Sequence, residues 1–335
     1  MSKSPFVSIC TPTFNRRPFI PYIIQCFLNQ DYPKNKMEWI IIDDGTDKIE
    51  DLVANIPEVK YYKFNEKMTL GKKRNIAHQY CKGDIIVYMD DDDYYPPTRV
   101  SHAVCKLKEN PKILCAGASE MYIYFKHIQQ MYQFGPYGPN HATAATFAFR
   151  RSLLEETRFD DNTSIAEEKS FLKNYTIPFI QLDPLKTILV FSHIHNSFDK
   201  KKLLEIPNPF VKLSDKKVND FVKEPSLQYF FLNTIDELLC NYEPGNPIYK
   251  PDVLKQMELI QKDQLQRLAN QEEMQKHQKI GHEKASKDFE KKLFEQSILI
   301  QELMNENKLL NDKNKYLEEK IKKIIEDRIL EIKKN

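Results

Sequence analysis

The sequence contains no run of roughly 18 to 20 apolar residues, the length that a membrane-spanning helix needs. Its opening, MSKSPFVSIC, holds no apolar stretch of signal-peptide length. It also lacks a charge excess of either sign. Lys and Arg number 50 against 48 Asp and Glu, a formal net charge of +2, which argues against a general nucleic-acid binder. The 6 cysteines (Cys10, Cys26, Cys81, Cys105, Cys115 and Cys240) form no CxxC pair and no His/Cys zinc spacing. They read as reduced residues of an apolar core. These absences point to a soluble, cytoplasmic chain with no membrane span and no nucleic-acid partner. On that reading the sequons at Asn162 and Asn174 are chance matches.

What is present divides into three textures. Residues 1–205 alternate short apolar, β-rich runs with helical patterns. Residues 206–252 form a proline-broken extension, punctuated by Pro207, Pro209, Pro225, Pro244, Pro247 and Pro251. Residues 253–335 contain no proline and one glycine, Gly281, among Lys, Glu, Gln, Asn and Leu/Ile.

The first region reads as βαβα. FVSICT, WIIID, VKYYKF and DIIVYMD are strands. RPFIPYIIQCFLNQ, LGKKRNIAHQYCK and PTRVSHAVCKLKEN have helical apolar spacing, the last with Pro97 near its start. WIIID is continuously apolar, as in a strand buried on both faces. Such alternation predicts an α/β fold with a mostly parallel central sheet flanked by helices. Ligands of such sheets bind at the carboxyl ends of the strands. Three polar clusters fall there: TPTFNR, DDGTD and the run Asp90–Asp93. Parallel strands would bring them together although the chain separates them.

The last region fits a long α-helical coiled coil. With a at Leu293, the a positions are Leu293, Ile300, Asn307, Asn314 and Ile321. The d positions are Gln296, Leu303, Leu310, Leu317 and Ile324, and seven of the ten are apolar. Asn at an a position fixes register and oligomer state. The pattern predicts a homo-oligomer; a single solvated amphipathic helix is the other reading.

Four consecutive aspartates repel one another. Either water solvates them on a turn, or a hard divalent cation sits among them, since Mg²⁺ and Mn²⁺ favour carboxylate and phosphate oxygens. The buried strand before the run and YYPP after it favour the second reading.

VSICTPTFNR, WIIIDDGTD, LGKKRNIA and IVYMDDDDYYPP together resemble, in order and spacing, the motifs of a family 2 glycosyltransferase with the GT-A fold. The resemblance covers roughly residues 5 to 200 and leaves out the coiled coil. It implies transfer of a sugar from a nucleotide-diphosphate donor, a UDP-sugar first, to a hydroxyl of a glycan or protein acceptor, with Mn²⁺ or Mg²⁺ and with inversion. On this resemblance Pro12, Thr13 and Phe14 line the base pocket, Phe14 standing where the family has tyrosine. Arg16 joins the nucleotide-sugar site. Asp44 or Asp43 accepts from the base, and Arg74 reaches the base or the diphosphate. Lys72 and Lys73 sit near a helix N-terminus, where anions are favoured. The family's DxD maps onto Asp90 for the ribose and Asp92 for the metal, with Asp91 between them. The catalytic pair maps onto Glu167-Glu168 in SIAEEKSFLKNY, where the family more often has Glu-Asp, and position makes Glu168 the base. In VFSHIHNSF, His193 and His195 lie two apart, and His195 is expected as a further metal ligand.

Two other classes compete. A non-catalytic coiled-coil scaffold with a decayed domain would be expected to have lost some of Arg74, Asp90 and Asp92. A nucleotidyltransferase would open with a glycine-rich loop, which TPTFNRRPF lacks.

Overall fold

The computed structural model describes residues 4–197, 199–205 and 207–334. Two compact units divide the chain, residues 1–260 and 261–335.

In the first unit the predicted alternation appears in order. Strand β1 (Val7–Thr13) passes through a 3₁₀ turn into helix α1 (Ile20–Leu28). Then come β2 (Met37–Asp43), the short α2 (Glu50–Val53), β3 (Val59–Lys63) and α3 (Leu70–Tyr80). Strand β4 (Ile85–Tyr88) and helix α4 (Arg99–Glu109) complete the alternation. Shorter pieces follow: β5 (Cys115–Gly117), β6 (Met121–Phe125), β7 (Gln130–Phe134), β8 (Ala148–Arg150), α5 (Glu168–Phe171), β9 (Phe179–Gln181), β10 (Val190–Ser192) and β11 (Val211–Leu213). Helices α6 (Val218–Phe221), α7 (Pro225–Tyr229) and α8 (Ile235–Cys240) precede α9 (Pro251–Lys334).

The main sheet has the order β3-β2-β1-β4-β8-β5-β9. Strands β3, β2, β1 and β4 run parallel, with Thr13 level with Asp43 and Cys10 level with Tyr88. β8 is antiparallel to both its neighbours, and β9 is parallel to β5. This is the mixed, mainly parallel α/β sheet of the GT-A fold. A second sheet, β10-β6-β7-β11, takes the rest. The chain leaves β1 for β2 on one side and later returns to β4 on the other. The carboxyl ends of β1 and β4 therefore border a switch point, where a crevice opens.

Period-2 alternation explains the continuous apolar runs. Ile9, Trp39, Ile41 and Val87 pack in one core with Phe19, Ile23 and Phe27 before and in α1, and with Val100 and Leu107 of α4. Cys10, Ile40, Ile42, Ile86 and Tyr88 pack in the other with Ala77 of α3 and with Phe149. Trp39 is core: it stacks on Phe27 at 4.8 Å and donates its indole N–H to Thr11 Oγ1.

Residues 207–252 pack into the first unit. Phe230 stacks on Tyr22 at 3.3 Å and Phe231 on Phe191 at 4.4 Å. The prolines break regular elements there without preventing burial of the aromatics between them. Cysteine burial is also less uniform than expected: Cys105 and Cys240 are exposed, the other four buried. In the second unit, Leu293, Ile300, Leu303, Leu310, Leu317, Ile321 and Ile324 all lie exposed on the helix. Among the described residues no helix is long and apolar enough to cross a membrane.

Candidate active site

A cavity of about 380 Å³ opens at the carboxyl ends of β1 and β4. Pro12, Phe14 and Arg16 form one wall, and Lys73, Arg74 and Asp90–Asp92 another. The loop Ser164–Glu168 faces them, and Lys200, Lys250 and Asp252 close the rim.

The acidic run is no solvated turn. Asp91 is 8% exposed and Asp93 7%. β4 ends just before it, and Tyr95 Oη accepts from the Asp90 amide at 2.6 Å. Arginines offset the repulsion. Arg16 lies 3.7 Å from Asp91 and 3.4 Å from Asp92. Arg74 takes both oxygens of Asp90 at 3.3 Å through its two terminal nitrogens. Burial and the neighbouring Asp92 push the Asp91 carboxyl up to about 7. Burial acts on Asp92 in the same direction, but the hydrogen bond with His193 and the Arg16 charge outweigh it and hold its carboxyl well below the usual range.

Arg74 also separates the glutamate pair. Its Nε donates to Glu167 Oε1 at 3.0 Å, and its guanidinium lies 4.3 Å over the Tyr88 ring. Burial opposes the charge on Arg74, yet Asp90 and Glu167 raise its pKa above the usual value. Glu168 stands on the cavity wall in the first turn of α5, with no ion-pair partner among the described residues. Burial and then the Glu167 charge push its carboxyl up to about 7. Ala166, just before the pair, holds φ 56. That conformation is costly for a residue with a Cβ, and such residues cluster at functional sites.

The remaining sequence candidates are distributed as follows. Asp43 accepts from the amides of Gly45 and Ile49 and from Tyr61 Oη at 2.6 Å, so it shapes the DDGTD turn and stays off the cavity wall. Gly45 is required there, because a Cβ would lie 2.6 Å from the Asn15 amide nitrogen. Asp44 accepts from the Met68 amide at 2.6 Å and from Lys73 Nζ, and is likewise buried behind the wall. Thr13 contributes its carbonyl to Lys73 at 3.0 Å and does not line the cavity. Lys72 is exposed on the outer side of α3, whereas Lys73 faces inward. His195 does not line the cavity either. Its ring packs where a Cβ on Gly245 would sit, and its carbonyl accepts from Arg16 at 2.7 Å. The nearby imidazole is that of His193, with Nε2 3.4 Å from Asp92 Oδ2 and 2.8 Å from the Asn196 amide nitrogen. Burial lowers the His193 pKa to about 3, more than Asp92 raises it, so the ring is neutral.

A carboxylate oxygen and a neutral imidazole nitrogen are donors that Mn²⁺ or Mg²⁺ accepts. Among the described residues no three His, Cys, Asp or Glu side chains form a closed metal cluster. Asp92 lines the cavity and offers such an oxygen, whereas His193, like His195, does not line it, and its Nε2 is engaged by Asp92 and the Asn196 side chain.

Lys67, Ser164, Lys200, Lys250 and Asp252 were not legible as site residues in the sequence. Asp252, at the start of α9, accepts from Lys67 and Ser164, linking chain segments about 90 and more residues apart. No local pattern carries such a contact.

Carboxylates and cations thus converge at the switch point of a mainly parallel sheet. Residues 8–158 match the model of Glycosyl transferase family 2. Among curated relatives, a poly(ribitol-phosphate) beta-N-acetylglucosaminyltransferase, TarS, of Staphylococcus aureus is 27% identical over 108 residues, 31% of this chain and 19% of that protein. A putative colanic acid biosynthesis glycosyl transferase, WcaA, of Escherichia coli is 33% identical over 106 residues, 30% of this chain and 37% of that one. The chain thus spans well under half the length of either relative. The solved structure of residues 1–349 of S. aureus TarS aligns with a TM-score of 0.43 at 19% identity, covering 56% of this chain and 60% of that one.

Proposed function

We propose that the chain transfers a sugar from a nucleoside-diphosphate donor, a UDP-sugar first, to a hydroxyl of a glycan or protein acceptor, with inversion at the anomeric carbon. The observation that carries this reading is the division of labour across one cavity. Phe14, Arg74 and Asp90 line the cavity as donor-binding groups, and Glu168, a carboxylate with no ion pair among the described residues, lines it too.

In the step, the Glu168 carboxylate takes the proton of the acceptor hydroxyl. The acceptor oxygen bonds the anomeric carbon as the bond from that carbon to the diphosphate oxygen breaks, and the nucleoside diphosphate leaves with the electron pair. Burial and then the neighbouring Glu167 charge hold the base's pKa up at about 7, near its working range. The Phe14 ring offers a face for the nucleobase, and Asp90, held by Arg74, takes the ribose on this reading. A divalent cation held by Asp92 would neutralise charge on the departing diphosphate. The N-acetylglucosaminyltransferase relative supports sugar transfer as the activity.

The test is thermal unfolding of the full chain with UDP, GDP, CDP or dTDP, each with and without Mn²⁺. The first turn of α9 helps wall the cavity, so truncation at residue 250 is avoided. A nucleotide at about 100 times its dissociation constant stabilises by roughly 2.7 kcal/mol. One nucleotide shifting the transition, more so with Mn²⁺, is the expected result. No shift with any of the four would leave the coiled-coil scaffold as the better reading.

We also propose that the exposed heptad stripe from Leu293 to Ile324 joins copies of the chain in parallel register, with Asn307 and Asn314 fixing oligomer number. Such an assembly would present several active sites to a polymeric acceptor. Analytical ultracentrifugation at micromolar concentration should show a dimer or higher oligomer; a monomer there would end the idea.

A further inference from the structure

We infer that Lys250, which lies outside the matched family domain, is a binding residue for the diphosphate of the donor, so that the segment from Tyr242 to Val253 completes the active site. The inference rests on the donor reading above and names a residue that reading does not supply.

Three lysine ammonium groups surround the Phe14 ring: Lys67 at 5.4 Å, Lys73 at 5.8 Å and Lys250 at 5.8 Å from its centroid. Two of them are committed. Lys73 is held by Asp44 and the Thr13 carbonyl, and Lys67 by Asp252. Lys250 is 7% exposed, and its Nζ donates to Ser197 Oγ at 2.6 Å, with no ion pair among the described residues. An ammonium has three donors, so two remain for the cavity that the side chain lines. Burial and Arg16 push the Lys250 ammonium well below its usual range against the pull of Asp91 and Asp92, so an anion entering the cavity beside it would hold its charge. With a base stacked on Phe14, the phosphates of the same nucleotide fall within reach of the ring's surroundings, and of the three lysines there Lys250 is the one that no carboxylate pairs among the described residues.

The segment that carries Lys250 is fixed to the PTFN turn of the family domain. Asn15 Nδ2 donates to the Pro244 carbonyl at 2.9 Å, and Arg16 Nη1 to the Gly245 carbonyl at 3.4 Å. Tyr242 Oη donates to Asp47 at 2.8 Å. Gly245 admits His195, whose Nδ1 would lie 2.6 Å from a Cβ there. Residues that line or support the cavity thus hold the ammonium in place before any ligand arrives. A pre-placed cation facing a leaving group stabilises the charge that develops on it.

The experiment is calorimetric titration of the full chain and of Lys250→Met with the nucleoside diphosphate that the native chain binds most tightly among UDP, GDP, CDP and dTDP, and with its monophosphate. Losing one charge-assisted contact should weaken the diphosphate roughly ten- to a hundredfold, and the monophosphate clearly less. Lys250→Arg should recover most of the affinity. Lys250→Gln, which keeps a donor for Ser197 without the charge, should show the same loss as the methionine variant and serves if that variant fails to fold. Equal diphosphate affinity in native and charge-free chains overturns the inference while leaving the donor reading intact. Equal loss for both nucleotides also overturns it, because that marks a distorted pocket. No binding of any diphosphate by the native chain defeats the donor reading, and the inference falls with it.

Discussion

Glu168→Gln should lower kcat by about 10²- to 10⁴-fold, the usual contribution of a general base, while donor binding changes little. The native enzyme's kcat/KM should fall as pH drops below about 7. Two carboxylates stand side by side, and the structure gives them different tasks. Glu167 is tied to Arg74 at 3.0 Å. Glu168 has no cationic partner among the described residues, and burial and the Glu167 charge push its carboxyl up to about 7. A base must be ionised to accept a proton, so activity is present above that pKa and lost below it, with a limiting slope of tenfold per pH unit. The linkage to folding has the opposite sense. A carboxyl whose folded pKa is raised favours the fold while protonated and loses that contribution as pH rises through about 7. Catalytic competence and this residue's contribution to stability therefore exclude each other, as expected of a site kept for chemistry. Initial rates from pH 5 to 9 with a fixed donor and acceptor check the claim. A flat profile down to pH 5.5, or a glutamine variant of near-native rate, would move the base elsewhere.

The parts legible in the sequence share a physical basis: each is local. Continuous apolar runs identify strands buried on both faces, and Ile40, Ile41 and Ile42 go alternately to the two cores. Polar clusters after those runs mark the strand ends, and the parallel order β2-β1-β4 gathers them. Choices between near neighbours are less legible. Lys72 and Lys73 have the same chemistry, and only the rotation of α3 against the sheet turns Lys73 inward. His193 and His195 differ in that the chain bends after Ser192. One ring then faces Asp92 and the other fills the space at Gly245. Asp43 and Asp44 looked like ligands for a base, but Asp43 is occupied by amides of its own turn and by Tyr61, and Asp44 by the Met68 amide and Lys73. The rim of the cavity was not legible at all. Lys250 and Asp252 come from a proline-broken stretch whose composition resembles a linker, and the contacts that fold it back, such as Asn15 with Pro244, join residues more than two hundred apart.

Asp92→Asn should abolish the Mn²⁺-dependent part of the nucleotide-induced thermal shift and lower turnover by at least roughly a hundredfold, the scale of several kcal/mol of Lewis-acid stabilisation. It should leave the metal-independent part of the shift in place. The substitution keeps size and shape and removes one charge. Asp92 lines the cavity, its Oδ2 lies 3.4 Å from both His193 Nε2 and Arg16 Nη2, and its carboxyl is held ionised. Asp93 is the control. It is the fourth of the run, yet it is buried behind the wall and does not line the cavity, so Asp93→Asn should keep the Mn²⁺ response. Asp91→Asn separates the remaining assignment. Asp91 also reaches the cavity, but burial and Asp92 push its carboxyl up to about 7, so at neutral pH it offers a cation less charge than Asp92 does. A Mn²⁺ response lost in Asp91→Asn and kept in Asp92→Asn would shift the metal by one position along the run. A response kept in all three variants would remove the cation from this acidic segment, leaving Arg16 and Arg74 as the groups that balance its charge.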